Sequence, residues 1–200
     1  MNSNLSIIIV HYKSFMEIKS CIESILKYPP RVNYEIIVVD NEDSQDLRDY
    51  LSFKKNVKYI KSKSNIGFGA GNNLGSKSAF GKYLFFLNPD TEVTKNSIDK
   101  LIDYLDKNQK VGGVAPLLMD EKHKVYKRVG TQNLTPLKAL FVYSFIDKLI
   151  PKNPVSYFFW LMGWDRKNPK RVGAIPGSAF LMQKKVFEKV GGFDELFFLF

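Results

Sequence analysis

One cysteine and two histidines are all that 200 residues offer for thiol or imidazole chemistry. A lone thiol excludes a disulfide framework. Cys21 falls between Ile18, Ile22 and Ile25 on an apolar helical face, where packing accounts for it better than reactivity. His11 and His123 stand far apart, without cysteine or histidine partners at metal-ligand spacing, which argues against a structural zinc site. Any metal would need oxygen ligands. The segment Met1-Asn2-Ser3-Asn4 has no basic side chain, and the apolar run Leu5 to Val10 is too short for a signal-peptide core or a spanning helix. A cytoplasmic protein is therefore expected. Low-complexity tracts and internal repeats are also missing.

What is present suits a globular fold in water. Hydrophobic residues make up 44% and charged residues 25%, near the averages for soluble proteins. The length fits one domain over residues 1–200. The net charge of +10 implies attraction to something anionic: a phosphorylated substrate, a nucleic acid or an acidic membrane face. Charge by itself does not choose among them.

Apolar runs and helical periodicity alternate along the chain. Leu5-Ser6-Ile7-Ile8-Ile9-Val10 reads as a parallel strand covered on both faces. Ser14 and Glu17 then form a capping-box pattern ahead of a helix that Pro29-Pro30 stops. The unit repeats with Tyr34 to Val39 as strand, Gln45 to Leu51 as short helix and Val57 to Ile60 as strand. A Gly/Asn-rich stretch from Asn65 to Gly75, expected to be a loop, leads to a strand at Tyr83 to Leu87. A helix capped by Thr94 follows, and Val111 to Leu117 is a fifth strand candidate. Such alternation predicts an α/β fold with a doubly wound, mostly parallel sheet, whose ligand site lies beyond the carboxyl ends of the strands.

Three polar clusters fall at those ends: His11-Tyr12, Asp40-Asn41 and Asn88-Pro89-Asp90. Asp40 could accept a hydrogen bond from a ribose hydroxyl or base imide, although an ordinary strand-to-turn aspartate reads the same way. Asp90 could hold Mg²⁺ or Mn²⁺, which take carboxylate, water and phosphate oxygens; the alternative is a plain Asn-Pro turn. The glycines of the Asn65 to Gly75 stretch permit close backbone approach to a ligand. They do not match the dinucleotide fingerprint, because Asn72 or Leu74 stands where its third glycine belongs. Nor do Gly71 to Ser78 match a phosphate-binding loop, in which Ser76 would have to be glycine.

Taken together, these motifs resemble the family 2 glycosyltransferases, in their rhamnosyltransferase-like branch. The resemblance rests on the first strand with Tyr12 after it, Asp40 closing the second strand, the Asn65 to Asn73 stretch, Asn88-Pro89-Asp90, Pro176-Gly177-Ser178 and Gly191-Gly192-Phe193-Asp194-Glu195. His11-Tyr12-Lys13 replaces the Thr-Tyr-Asn of many members, and Asp90 is the one carboxylate at the central motif. The resemblance implies a glycosyltransferase A-type fold, the nucleotide-diphospho-sugar transferase fold, incomplete at its C-terminus. Residues 1–110 would form the nucleotide half and 111–200 the donor-sugar and acceptor half. It implies sugar transfer, with rhamnose from a dTDP donor as first choice, from a nucleoside diphosphate sugar to a saccharide or lipid-linked saccharide with inversion, in cell-surface polysaccharide biosynthesis. Donor-side residues would be His11, Tyr12, Asp40, Asn65, Gly67, Asn72, Asn88, Asp90, Gly177 and Ser178. Acceptor-side residues would be Asp194 and Glu195, and Asp90 would hold Mg²⁺ or Mn²⁺. The base is expected beyond Phe200. Slow transfer by these 200 residues and an apolar end at Phe197 to Phe200, frayed or held in a contact, would follow. The alternative is a non-catalytic nucleotide-sugar-binding or scaffold domain.

Between Leu137 and Trp164 lie many aromatic residues, flanked by Lys148, Lys152, Arg166, Lys167, Lys170 and Arg171. Such a segment suits an anionic membrane surface on the inner face, or a core helix and loop with a solvated basic rim. It would also suit stacking on single-stranded nucleic acid, but no RNA-binding signature accompanies it, and no nucleic-acid partner is expected.

Overall fold

The computed structural model describes residues 4–126, 129–145, 149–150 and 153–199. Of the residues discussed above, Met1 to Ser3, Lys148, Lys152 and Phe200 lie outside them. The described chain forms two compact units, one running to Val114 and resuming at Gly177, the other spanning Ala115–Pro176.

The first unit is built on a six-stranded sheet. In chain order its elements are β1 (Leu5–His11), α1 (Phe15–Lys27), β2 (Tyr34–Asp40), α2 (Gln45–Leu51), β3 (Val57–Lys61), α3 (Gly67–Lys77), β4 (Tyr83–Leu87), α4 (Ser97–Lys107) and β5 (Gly113–Val114). In the second unit follow α5 (Pro136–Tyr143) and α6 (Pro154–Phe159); β6 (Ala179–Gln183) and α7 (Lys184–Lys189) then complete the first. The sheet order is β3-β2-β1-β4-β6-β5. Strands β3, β2, β1 and β4 run parallel, while β6 is antiparallel to both neighbours. From β1 the chain winds outward through β2 and β3 and returns to β4 on the other side. The strand order thus reverses between β1 and β4, the switch point at which sheets of this kind bind ligands.

Burial explains why the strands lack alternation. Ile7, Ile8, Ile9, Ile36, Ile37, Val38, Val39, Leu84 and Phe86 are all fully buried, with helices covering both faces. Register pairs His11 with Asp40 at the carboxyl edge, so the apolar runs end together and their polar successors meet.

Four local expectations change. The Gly/Asn-rich stretch is helix α3 from Gly67 onward rather than a loop. Its glycines at 71 and 75 let the helix backbone lie directly on β1: a Cβ at Gly71 would sit 2.9 Å from Val10 Cγ1, and one at Gly75 would sit 2.6 Å from Ile8 Cγ2. Close packing outweighs the roughly 1 kcal/mol per residue that glycine costs a helix. Ser14 precedes α1 but makes no side-chain cap; instead its N–H donates to His11 Nε2 at 3.3 Å. Helix α4 begins after Asn96 rather than Thr94; Asn96 adopts the left-handed conformation, which asparagine tolerates, and its side chain makes no cap bond. The fifth strand shrinks from Val111–Leu117 to Gly113–Val114, paired with Met182 and Leu181 of β6.

In the second unit, Thr135 and Asn153 cap α5 and α6 by accepting from Lys138 N and Ser156 N. The two helices pack together, with Tyr143 and Phe159 edge to face. No helix among the described residues is long and apolar enough to cross a membrane.

Candidate functional site

Two polar clusters occupy the carboxyl edge of the parallel strands, flanking the switch point. The first centres on Asp40, which together with His11 is 0% exposed. Asp40 Oδ1 accepts from His11 Nδ1 and from Glu42 N, both at 2.9 Å, and Oδ2 accepts from Ser44 N at 2.7 Å and Tyr59 Oη at 2.8 Å. A carboxylate has about four lone-pair sites, and here all are engaged. Burial raises the Asp40 carboxyl, but the bonds from His11, Glu42, Tyr59 and Ser44 outweigh it and hold the group below its usual range. Burial and the bond to Asp40 in turn push the Tyr59 phenol up to about 12.

Through these bonds the carboxylate organises the turn that follows β2. His11 is drawn into the same network. Because Nδ1 donates to Asp40, Nε2 is left to accept from Ser14 N, which fixes the ring and its tautomer. Tyr12, next along, is exposed, with the Lys13 ammonium 5.3 Å from its ring centroid.

Asn41, which the sequence marks only as a polar residue at a strand end, ties this cluster together. Its N–H donates to His11 O at 2.9 Å, and its Nδ2 reaches Gly67 O at 3.2 Å and Asn65 Oδ1 at 3.3 Å. Asn65 and Gly67 are thereby brought to the end of β2. The amide Oδ1 of Asn41 is buried without a hydrogen-bond partner, an orphan acceptor beside the Asp40 turn. Its position immediately after an apolar strand was the only sequence signal. Asn72 is not part of this edge: it is buried within α3 and donates to Phe68 O.

The second cluster closes β4. Asn88 N donates to Ser178 O at 2.8 Å, extending the β4–β6 pairing of Leu87 with Ala179, so Asn88 and Gly177-Ser178, distant in sequence, share one edge. Phe68 lies against Gly177, where an added Cβ would stand 3.6 Å from its Cζ. Asp90 is exposed, and among the described residues its carboxylate accepts only one long bond, 3.4 Å from Thr91 Oγ1. Among the described residues no group of three or more His, Cys, Asp or Glu could hold a metal. A lone carboxylate free of strong partners fits a divalent ion that takes its other ligands from water and phosphate.

The Asp194-Glu195 turn is fastened to α3. Asn73 Nδ2 donates to Phe193 O at 2.8 Å and Glu195 Oε1 at 2.9 Å, while Phe193 N donates to Asn73 Oδ1 at 2.9 Å. Asp194 Oδ1 accepts from Leu196 N. The end of the chain is held by its backbone, through Phe68 N to Phe198 O at 2.9 Å, while the side chains of Leu196, Phe197, Phe198 and Leu199 are exposed. Gly67, at φ +82°, accommodates this approach, since a Cβ there would come 2.3 Å from Phe198 O.

A sheet of this order, with polar clusters at its switch point, belongs to the glycosyltransferase A-type class. The mannosyltransferase PcManGT from Pyrobaculum calidifontis, solved with GDP-Man and Mn²⁺, aligns with a TM-score of 0.62 at 14% identity, covering 98% of this chain and 48% of that one. The chain belongs to Glycosyl transferase family 2, whose sequence pattern matches residues 6–191. Among curated relatives, the low-salt glycan biosynthesis hexosyltransferase Agl10 of Haloferax volcanii is 28% identical over the whole of this chain and 59% of its own length. The N-acetylglucosaminyl-diphospho-decaprenol L-rhamnosyltransferase of Mycobacterium tuberculosis is 26% identical over 72% of this chain and 50% of its own. The chain thus spans between half and three-fifths of the length of these relatives.

Proposed function

We propose that this chain carries the donor site of a transferase that moves a sugar from a nucleoside diphosphate sugar to a hydroxyl of a saccharide or lipid-linked saccharide, with inversion. The observation that carries the reading is the pair of clusters at the β1/β4 switch point. One is a turn fixed by the saturated Asp40; the other is the Asn88–Asp90 turn bonded to Ser178. In this reading Tyr12 stacks on the nucleoside, and Asn41 Oδ1, its amide held by Asn65 and Gly67, accepts a base N–H. Asp40 and His11 act through the turn they hold. Asp90 holds Mg²⁺ or Mn²⁺, which neutralises charge on the departing diphosphate, and Gly177-Ser178 line the sugar side.

Asp194 and Glu195 serve the acceptor side. Both already brace the turn, so we assign the base to neither. Rhamnose remains the first choice of sugar and a lipid-linked saccharide the first choice of acceptor, by analogy with the mycobacterial relative. Such an enzyme would work on the cytoplasmic face of a membrane.

Thermal-shift titration with nucleoside diphosphate sugars, with and without Mn²⁺, tests the reading. A rise in melting temperature that Mn²⁺ enlarges is expected. The absence of any shift with every nucleotide would overturn it.

A further inference from the structure

The second unit, Ala115–Pro176, holds less than a third of the residues but most of the net charge. It contains eleven Lys and Arg against four Asp and Glu, a net +7 of the chain's +10. Within the same unit, helix α5 has the sequence PLKALFVY and buries only Val142. Leu137 is 64% exposed, Tyr143 65% and Phe145 68%, followed by Leu149 at 71%; Phe158 on α6 is 71% exposed. Apolar side chains concentrated in this way mark an interaction surface rather than ordinary surface scatter. The unit also has an open pocket of about 460 Å³, whose lining includes Lys138, Lys170, Gln132, Tyr157 and Trp164. Two lysines beside phenol and indole rings suit an anion carried on an apolar body, and the Lys138 ammonium is held by Asn133 O at 3.0 Å.

We propose that the second unit docks the protein on an anionic phospholipid bilayer, with Leu137, Tyr143, Phe145 and Phe158 entering the boundary between headgroups and acyl chains, and Lys138 and Lys170 taking a headgroup phosphate. A partner that is at once apolar and negatively charged answers both features. An apolar protein groove would leave the +7 unmatched, and a soluble anion would leave the exposed rings in water. Tyr and Trp belong at such a boundary because each has an apolar body and a polar tip. The docking rests on and deepens the transferase reading by bringing the protein to a surface that can carry a lipid-linked acceptor. It is tested without nucleotide, so either reading can fail alone.

The test is co-sedimentation of the 200-residue chain with vesicles of phosphatidylcholine alone and of phosphatidylcholine mixed with phosphatidylglycerol. Binding is expected to the mixed vesicles and to weaken with salt. The pair Lys138→Gln and Lys170→Gln should lower the partition coefficient roughly thirty-fold, because each cation near an anionic leaflet contributes about five-fold. The pair Lys107→Gln and Lys110→Gln removes the same charge from the first unit and should change it far less. Melting curves of both pairs establish that they are folded. Leu137→Ser with Phe158→Ser should reduce binding further. Equal binding to neutral and anionic vesicles, or equal losses from the two lysine pairs, would overturn the proposal. Preference for a single-stranded oligonucleotide over the mixed vesicles would do the same.

Discussion

Replacing Asp40 by alanine should destabilise the fold far more than a ligand-facing aspartate would. The substitution removes the acceptor for four donors: the buried His11 ring, the N–H groups of Glu42 and Ser44, and the Tyr59 hydroxyl. Glu42 is exposed and its N–H can turn to water, but the His11 ring is 0% exposed and would be left unpaired. Orphaning a buried donor costs about 1–3 kcal/mol and a hydrogen bond to a charged acceptor is worth about 1.5–3 kcal/mol, so with the His11 ring unpaired and three further donors deprived of a carboxylate we expect a loss of about 3–5 kcal/mol. For a chain of this size each kcal/mol lowers the melting temperature by about 2–4 °C, which gives a drop of roughly 6–20 °C. Asp40→Asn keeps one acceptor oxygen but turns an NH₂ toward the other donors, and should fall between wild type and alanine. The folded-state carboxyl lies below its unfolded value of about 3.9. Its stabilisation is therefore complete above about pH 4 and is lost as pH falls through the folded value; Asp40→Ala should lack that part of the acid dependence. Circular-dichroism melts between neutral pH and pH 3 supply both readings. If Asp40→Ala melts within about 2 °C of wild type, the saturated network is not what holds this turn.

Three further substitutions test separate features. Gly75→Ala gains about 1 kcal/mol of helix propensity but drives a methyl to 2.6 Å from Ile8 Cγ2; with overpacking costing about 1–3 kcal/mol, the net effect in urea unfolding should be destabilising. Asn73→Ala releases three hydrogen bonds that fasten Phe193 and Glu195, and limited proteolysis should then cut the 193–199 segment several-fold faster, with the rest of the chain unchanged. Asn41→Ser withdraws the orphan acceptor Oδ1. Calorimetry should show nucleoside diphosphates whose base carries an imide N–H losing about 1 kcal/mol or more of binding, and cytidine diphosphate, whose base has none, losing less.

Much of the fold was legible because burial writes itself into composition. Leu5 to Val10, Tyr34 to Val39 and Tyr83 to Leu87 have no alternation, as strands covered on both faces must, and α2 falls at Gln45–Leu51 as its pattern predicts. Helix α3 was hidden because its glycines oppose helix formation locally and are tolerated only for the close approach to Val10 and Ile8. The four-residue spacing of Gly67, Gly71 and Gly75 was the available signal. The positions of the two edge clusters were legible from the strand ends. The saturation of Asp40 was not, since it depends on Tyr59 on the next strand, 19 residues on, and on turn N–H groups that any residue would supply.

The central claim is a donor site at the switch point in which Asp90 serves the metal and the Asp40 turn serves the nucleoside. Calorimetric titration of uridine and thymidine diphosphates into wild type and Asp90→Ala, each with and without Mn²⁺, tests it most directly. Because Asp90 is exposed and weakly bonded, the variant should fold normally and bind nucleotide without metal as wild type does, but lose the enhancement by Mn²⁺. Equal enhancement in both proteins would contradict the metal assignment, and no nucleotide binding by either would contradict the donor site itself.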